Sequence, residues 1–276
     1  MIELPEALVI AGQMNEAIAG KTIVSAMRGN APHRFAFYTR SAEECAAILK
    51  DRRIGPARGH GGLILIPAEP EYLLAVGGGG ERIALHHDEK TLPKKHQLLL
   101  HFTDGAYLTV TIQGWGAAML FHDSEVPGHA WVGKPGVSPL SDAFTTEYFQ
   151  GRFSELKEND PSSVKFFVIS KPGVWGVGNG CLQDILFRAR IHPRRRALHL
   201  SEVERRALHA AIRDTLGQMV ALGGRDGEID LYGQPGGYKR ILSSETVGKP
   251  CPECGTPIEK IQYLGGASYF CPKCQR

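Results

Sequence analysis

Cys251-Pro-Glu-Cys254 and Cys271-Pro-Lys-Cys274 stand close together in the C-terminal part of the chain. Each Cys-x-x-Cys knuckle offers two thiolates, and two knuckles at this separation supply the four ligands of a closed tetrahedral Zn²⁺ site with a hairpin between them. The hairpin reads as strands at 258–263 and 267–270 around a Gly265-Gly266 turn. A ribbon of this size has no core of its own, so the metal is expected to supply its folding free energy. Disulfides in a secreted tail are the alternative. The only other cysteines, Cys45 and Cys181, lie far apart and read as buried free thiols, which favours metal. Four thiolates leave no open position for chemistry, so the expected Zn²⁺ is structural.

Working back from the ribbon, a chain of 276 residues exceeds one average domain and suggests two folded units ahead of it. Units are expected over 1–125, 140–245 and 246–276. Composition is that of a globular protein, with 42% hydrophobic residues, and a formal net charge of only +3 names no partner. Its distribution says more. From Arg188 to Arg225 nine arginines face only Glu202, Glu204 and Asp214, a local basic field that would attract phosphates, or else a solvated helical face. Glu3 and Glu6 interrupt any signal peptide, and no apolar run approaches a membrane span. A cytoplasmic, nucleoid-associated protein with no membrane partner is expected.

The N-terminal half reads as strands. Short apolar runs at 63–66, 98–102 and 107–112 are bounded by Gly, Pro and Asp-Gly, with Thr103-Asp104-Gly105-Ala106 as a hairpin turn. A helix precedes them from Pro5 to about Ala19, stopped by Gly20. Residues 124–139 mix Gly, Pro, Ser and His without periodicity and read as a linker. Helices follow over 141–153, 162–169 and 181–190, the last after a sharp Gly176-Val177-Gly178-Asn179-Gly180 turn and ended by Pro193. Ser201 and Glu204 form a capping box for a helix that runs to about Leu222.

Three markers now stand in order: Met1-Ile2-Glu3-Leu4-Pro5-Glu6; Gly176-Val177-Gly178-Asn179 with Asp184-Ile185-Leu186-Phe187; and the ribbon ending Cys271-Pro-Lys-Cys274-Gln275. With these, the whole chain resembles the formamidopyrimidine-DNA glycosylase and endonuclease VIII family of bacterial base-excision repair enzymes. Ile2 to Ala7 and Tyr263-Leu264-Gly265-Gly266 resemble a divergent endonuclease VIII-like branch. The resemblance implies an α+β fold: an N-terminal β-sandwich with a flanking helix (1–125), a helix-two-turn-helix domain (140–245) and a zinc ribbon (246–276). It implies a monomer whose partner is double-stranded DNA carrying a damaged base or abasic site, bent in a cleft between the halves. The damaged base must be extruded, because C1′ cannot be reached inside the stack. In the family the N-terminal amine then attacks C1′, a Schiff base forms and β-elimination nicks the strand. A proline amine serves there because its low pKa leaves much of it unprotonated.

By the same resemblance, Glu3 is the acid and base on the opening sugar, or a solvated helix charge. Glu6 positions the amine, or caps the helix. Asn179 binds a phosphate beside the lesion, or is a left-handed turn residue. Lys165 contacts a phosphate, or is a surface lysine. Lys95 and His96 match a Lys-His pair before a central strand, in backbone contact or structural.

Several positions depart from the family pattern. The family proline is Ile2, whose bulk blocks methionine removal, so the candidate amines are those of Met1 and Ile2. Met1 stands one residue further from Glu3, and its primary amine still forms a Schiff base. A catalytic lysine on a strand hairpin matches Arg58-Gly59-His60-Gly61-Gly62-Leu63, leaving His60 or Gly61 in its place. The family methionine region is Gly77 to Gly80. An arginine-phenylalanine loop reads Gln113-Gly114-Trp115-Gly116, where Gln113 or Trp115 would wedge into the vacated stack. A phosphate-gripping ribbon arginine falls at Gly266. The glycine-rich loop 223–237 covers the flipped base or is a disordered connector.

Two readings follow. One is a DNA glycosylase, with abasic-site lyase activity through an N-terminal Schiff base. The other is a non-catalytic lesion- or structure-specific DNA-binding relative that has lost the proline and the lysine. A zinc-ribbon protein binding RNA or protein is a third, and it would show weak salt dependence. Pocket loops set the damaged base, which the sequence does not name.

Overall fold

Leu4, Ala7, Ile10, Ala11 and Met14 recur at helical spacing and are buried, which places helix α1 at Leu4–Ala17, with Pro5 where it costs no hydrogen bond. A computed structural model describes residues 1–31 and 33–276, which divide by their contacts into two units: Met1–Pro135 with Leu222–Gly237, and Gly136–Ala221 with Tyr238–Arg276.

In the first unit α1 is followed by β1 (Ile23–Met27), β2 (Ala36–Phe37), α2 (Ala42–Leu49), β3 (Arg53–Ile54), β4 (Arg58–His60), β5 (Leu63–Glu69), β6 (Tyr72–Gly77), β7 (Glu81–His86), β8 (Leu98–Phe102), β9 (Tyr107–Ile112) and β10 (Gly116–His122). One antiparallel sheet runs β1-β8-β9-β7; the other runs β2-β10-β6-β5-β3, with β4 also paired to β5. The turn joining β8 to β9 is the expected one, with Gly105 at φ +86 and Asp104 accepting from the Ala106 N–H.

Alternation along β5 decides how the layers meet. Ile64 and Ile66 pack with Leu74 and Val76 of β6, with Leu100 and Val110 of the smaller sheet, and with Ile10 and Met14 of α1 in one core. Leu63 and Leu65, one residue out of phase, turn to the opposite face, where they join Met119, Phe121 and Val132. The larger sheet is thus apolar on both faces. Part of the expected linker, Asp123–Gly128, is a 3₁₀ turn instead: the His122 side chain accepts from Ser124, and Glu125 accepts from the His122 N–H. Local polar bonds order it without any hydrophobic period.

The second unit carries α3 (Thr146–Gly151), α4 (Val164–Ile169), α5 (Asn179–Arg188), α6 (Glu202–Ala221), β11 (Glu259–Tyr263) and β12 (Gly266–Phe270). The helix expected from residue 141 starts later, because Thr145 caps Tyr148, and a 3₁₀ turn, Arg152–Glu155, continues it. Phe149 and Phe153 pack on Phe167 of α4, with ring centroids 6.0 and 4.1 Å away. The Ser201 and Glu204 exchange that starts α6 is formed as expected. The ribbon turn is one residue earlier than expected: Leu264 and Gly265 occupy it at φ +52 and +73, and Tyr263 pairs with Gly266. Two successive positive φ angles match the twist of a two-residue hairpin, and Gly266 is left to begin the return strand.

Candidate active site

In the first unit the N-terminal residues are held by the backbone and by one arginine. Ile2 is 4% exposed, lies in the sandwich core, and donates its N–H to the Gly79 carbonyl at 2.8 Å. With Met1 in place the Ile2 nitrogen is a peptide amide, and the free amine is that of Met1. The Met1 amine is an ion-pair partner of Glu228 at 2.6 Å, and the Met1 carbonyl accepts from Nη2 of Arg225 at 2.8 Å. Arg225 is itself buried. Its Nε and Nη2 donate to Glu6 at 2.9 and 2.7 Å, and its Nη1 to Oε1 of Glu3 at 3.3 Å. Glu3 and Glu6 are each 3% exposed, so neither is a solvated helix charge. Glu6 also closes the helix start by accepting from the Glu3 N–H at 3.1 Å. A planar guanidinium gripping one carboxylate with two donors and touching a second is the arrangement that lets two acids be buried side by side.

Beside this cluster lies a cavity of about 370 Å³ bordered by Met1, Glu6, Arg82, Gln113, Glu228 and Ile229. The amine stands at its edge. The Gly77 to Gly80 run is shaped by close approach of the segment joining β9 to β10: the Gly80 N–H donates to the Trp115 carbonyl at 2.8 Å and the Gln113 N–H to the Gly80 carbonyl at 2.7 Å. A Cβ at Gly79 or Gly80 would collide with that backbone. Glu81 accepts from the N–H groups of Gly79 and Ala117 at 2.8 and 2.9 Å. Burial pushes its carboxyl above the usual range, against the pull of those donors.

Of the two residues in the lysine's place, His60 is buried and donates from Nε2 to the Trp131 carbonyl at 3.1 Å. Burial pushes its imidazole below the ordinary value. Gly61 turns the chain at φ +61. Neither presents an exposed cation. Gln113 borders the cavity, whereas Trp115, 43% exposed, lies in the segment joining β9 to β10. Lys95 is exposed. His96 is buried, and among the described residues neither of its ring nitrogens has a hydrogen-bond partner. Asn30 fixes this segment, accepting from the His96 N–H and donating to the Lys94 carbonyl, both at 2.9 Å.

In the second unit, Asn179 is the first residue of α5 and not a left-handed turn residue. Its Nδ2 donates to the Ala267 carbonyl at 3.0 Å, and its buried Oδ1 has no partner among the described residues. Lys165 is fully buried, which excludes a surface lysine. Its Nζ donates to the Tyr263 carbonyl at 2.7 Å and to Oγ of Ser268 at 3.0 Å, and burial pushes its pKa down. Asn179 and Lys165 therefore both fasten the ribbon hairpin.

Arg225 and Glu228 were not singled out by sequence reasoning. The one available signal was a charged Arg225-Asp226-Gly227-Glu228 run inside a glycine-rich loop. That loop is no disordered connector: Gln13 donates to Asp230 at 2.8 Å and accepts from the Leu231 N–H at 3.0 Å, and Leu231 is buried in the sandwich core.

The four ribbon cysteines have sulfurs within 4.8 Å of one another, with Cys251 to Cys274 at 3.8 Å and Cys254 to Cys271 at 3.5 Å. Four thiolates at about 2.3 Å from one Zn²⁺ are roughly 3.8 Å apart, so the donor set fits a tetrahedral ion. The Cys271 N–H donates to Gln275, whose Nε2 donates to the Ile191 carbonyl, tying the knuckle to the chain after α5.

Residues 136–229 match the formamidopyrimidine-DNA glycosylase H2TH domain, and residues 248–276 match the zinc finger found in FPG and IleRS. A curated formamidopyrimidine-DNA glycosylase of Cytobacillus firmus is 30% identical over 281 residues, covering 100% of both chains. The crystal structure of the MutM (Fpg) protein of Thermus thermophilus superposes with a TM-score of 0.83 at 25% identity, over 99% of this chain and 98% of that one. The Lactococcus lactis Fpg in complex with abasic-site DNA gives 0.85 at 23%, over 99% of both. No helix among the described residues is long and apolar enough to cross a membrane.

Proposed function

The chain belongs to the formamidopyrimidine-DNA glycosylase family, and on that footing we propose that it is a base-excision DNA glycosylase that extrudes a damaged base from double-stranded DNA and attacks the sugar with the amine of Met1. The observation that carries this reading is the anchoring of that amine: Ile2 on Gly79, the Met1 carbonyl on Arg225 and the nitrogen on Glu228, at the edge of a cavity. A nucleophile held at three points loses little orientational freedom on reaction.

To attack, the amine gives a proton to Glu228. Its nitrogen bonds to C1′ as the C1′–base bond breaks, and the electron pair leaves with the base. Loss of a second N–H proton and transfer of a proton to O4′ open the sugar as a Schiff base, from which β-elimination follows. Glu3 is the carboxyl group assigned to the sugar oxygen. Its contact with Arg225, at 3.3 Å, is longer than either contact of Glu6. Glu6 stays to hold Arg225. His96, with unfilled ring nitrogens, Lys95 and Asn179 are assigned to the DNA backbone, Lys165 acts on it only indirectly by holding the hairpin, and Gln113 and Trp115 are assigned to the vacated stack. The four cysteines would hold one structural Zn²⁺, which braces the hairpin and takes no part in the chemistry. The protein would act as a monomer.

The test is borohydride trapping of tag-free protein on duplex DNA with an abasic site, followed by mass spectrometry of the cross-linked peptide. A Met1 adduct lost on blocking the amine is expected. Tight binding to the same DNA with no adduct would replace this reading by a glycosylase without lyase activity or by the non-catalytic binder, which the absence of an exposed cation at His60 favours.

A further inference from the structure

The nine arginines between Arg188 and Arg225 form a basic field in the sequence, but the fold ties most of them up. Six donate hydrogen bonds to side chains or carbonyls of their own unit. Arg190 faces Glu253 at 4.0 Å, and Arg225 is buried on Glu3 and Glu6. Among the described residues, Arg194 is the one of the nine whose guanidinium has neither a hydrogen-bond acceptor nor a carboxylate partner. It is exposed and stands 5.2 Å from the centroid of the Tyr263 ring.

That ring marks a particular place on the ribbon. Tyr263 lies directly opposite Gly266 in the hairpin register, and cross-strand partners send their side chains to the same face. The guanidinium of Arg194 therefore lies over the face on which a side chain at 266 would project, the position where the family resemblance puts a phosphate-gripping arginine. The platform beneath is fixed, since Lys165 holds the Tyr263 carbonyl and Asn179 and Gln183 both donate to the Ala267 carbonyl. A guanidinium held against an aromatic ring by a cation–π contact is restricted in position, with its N–H donors free for a phosphate.

We propose that Arg194, from the loop between α5 and α6, contacts a DNA phosphodiester at the hairpin tip in place of the side chain that Gly266 lacks. This rests on the reading of the chain as a DNA-binding protein. An exposed arginine is removed with little structural cost, and a Cβ at Gly266 would have the Asn179 side chain as its nearest neighbour at 3.5 Å, an ordinary contact, with φ outside the left-handed region. Both substitutions are therefore usable.

The experiment is a titration of the full-length zinc-loaded protein with a fluorescent duplex carrying a tetrahydrofuran abasic analogue, at 50 to 200 mM KCl, with a thermal melt of each variant. R194A is expected to bind more weakly and to lower the slope of log Kd against log salt by about 1, so that it and the wild type converge about 3- to 4-fold across that range. G266R in the R194A background is expected to restore the slope, and R206A, whose arginine is paired with Glu202, to keep it. A wild-type slope in R194A, an equal loss in R206A, or no recovery with G266R in a variant of unchanged melting temperature would overturn the assignment. Absence of salt-dependent DNA binding in the wild type would instead remove the DNA-binding reading, and this assignment with it.

Discussion

Arg225 is the residue on which the N-terminal cluster depends. Removing it would leave Glu3 and Glu6 buried without a cation, so R225A should lose about 3–5 kcal/mol of stability in urea unfolding. R225K should recover only part of that, because an ammonium cannot reproduce the fork that grips Glu6 at 2.9 and 2.7 Å. His60 gives a second outcome. Burial holds its imidazole below the ordinary value of 6.5, so on acidification the unfolded chain takes up the proton first. Its contribution to stability is thus complete above pH 6.5 and is lost as pH falls from there through the depressed folded value. H60Q should flatten the stability curve on the acid side of pH 6.5, and an imidazole NMR titration should follow the wild-type transition. Glu3 and Glu6 were legible in the sequence because they sit in one short motif. Arg225 and Glu228 were not, because the contact that gives Arg225 its meaning joins residues 219 positions apart, and nothing local marks it.

At the scale of elements, what could be read was what is set by neighbours in the chain. The Ser201-Glu204 box and the Cys-Pro-x-Cys knuckles carry their partners within a few residues. The start of α3 was misplaced although its signal is local: Thr145 caps the Tyr148 N–H, and no periodic apolar pattern marks that boundary. The ribbon turn was misplaced for a different reason. Two adjacent glycines invite assignment to the turn, yet register puts Leu264 there at φ +52, a conformation that costs a residue with a Cβ about 1–2 kcal/mol. L264N or L264G should therefore stabilise the second unit by about 1 kcal/mol, measured as a shift in its denaturation midpoint at constant zinc. An unchanged or lower midpoint would mean that the Leu264 side chain contributes packing that offsets its backbone.

For the molecule as a whole, the ribbon is the part with the least core of its own: Phe187, Leu242, Ile258 and two of the cysteine ligands make up its buried cluster. Stripping the metal with a strong chelator should expose the amides of residues 248–276 to hydrogen exchange while those of the β-sandwich stay protected, and DNA binding should fall as the hairpin loosens. Equal loss of protection in both units would show that the metal supports more than its own ribbon. The division of the chain carries a further consequence. Because Leu222–Gly237 is part of the first unit, the sandwich cannot be completed in the order in which it is made. A nascent chain that has reached Pro135 has all its strands but lacks the countercharge for its first two acids. At about 5–20 residues per second, the roughly 100 residues still needed take on the order of 5–20 s to make. Through that interval the start of the protein waits on the ribosome for Arg225, with Glu3 and Glu6 still in water.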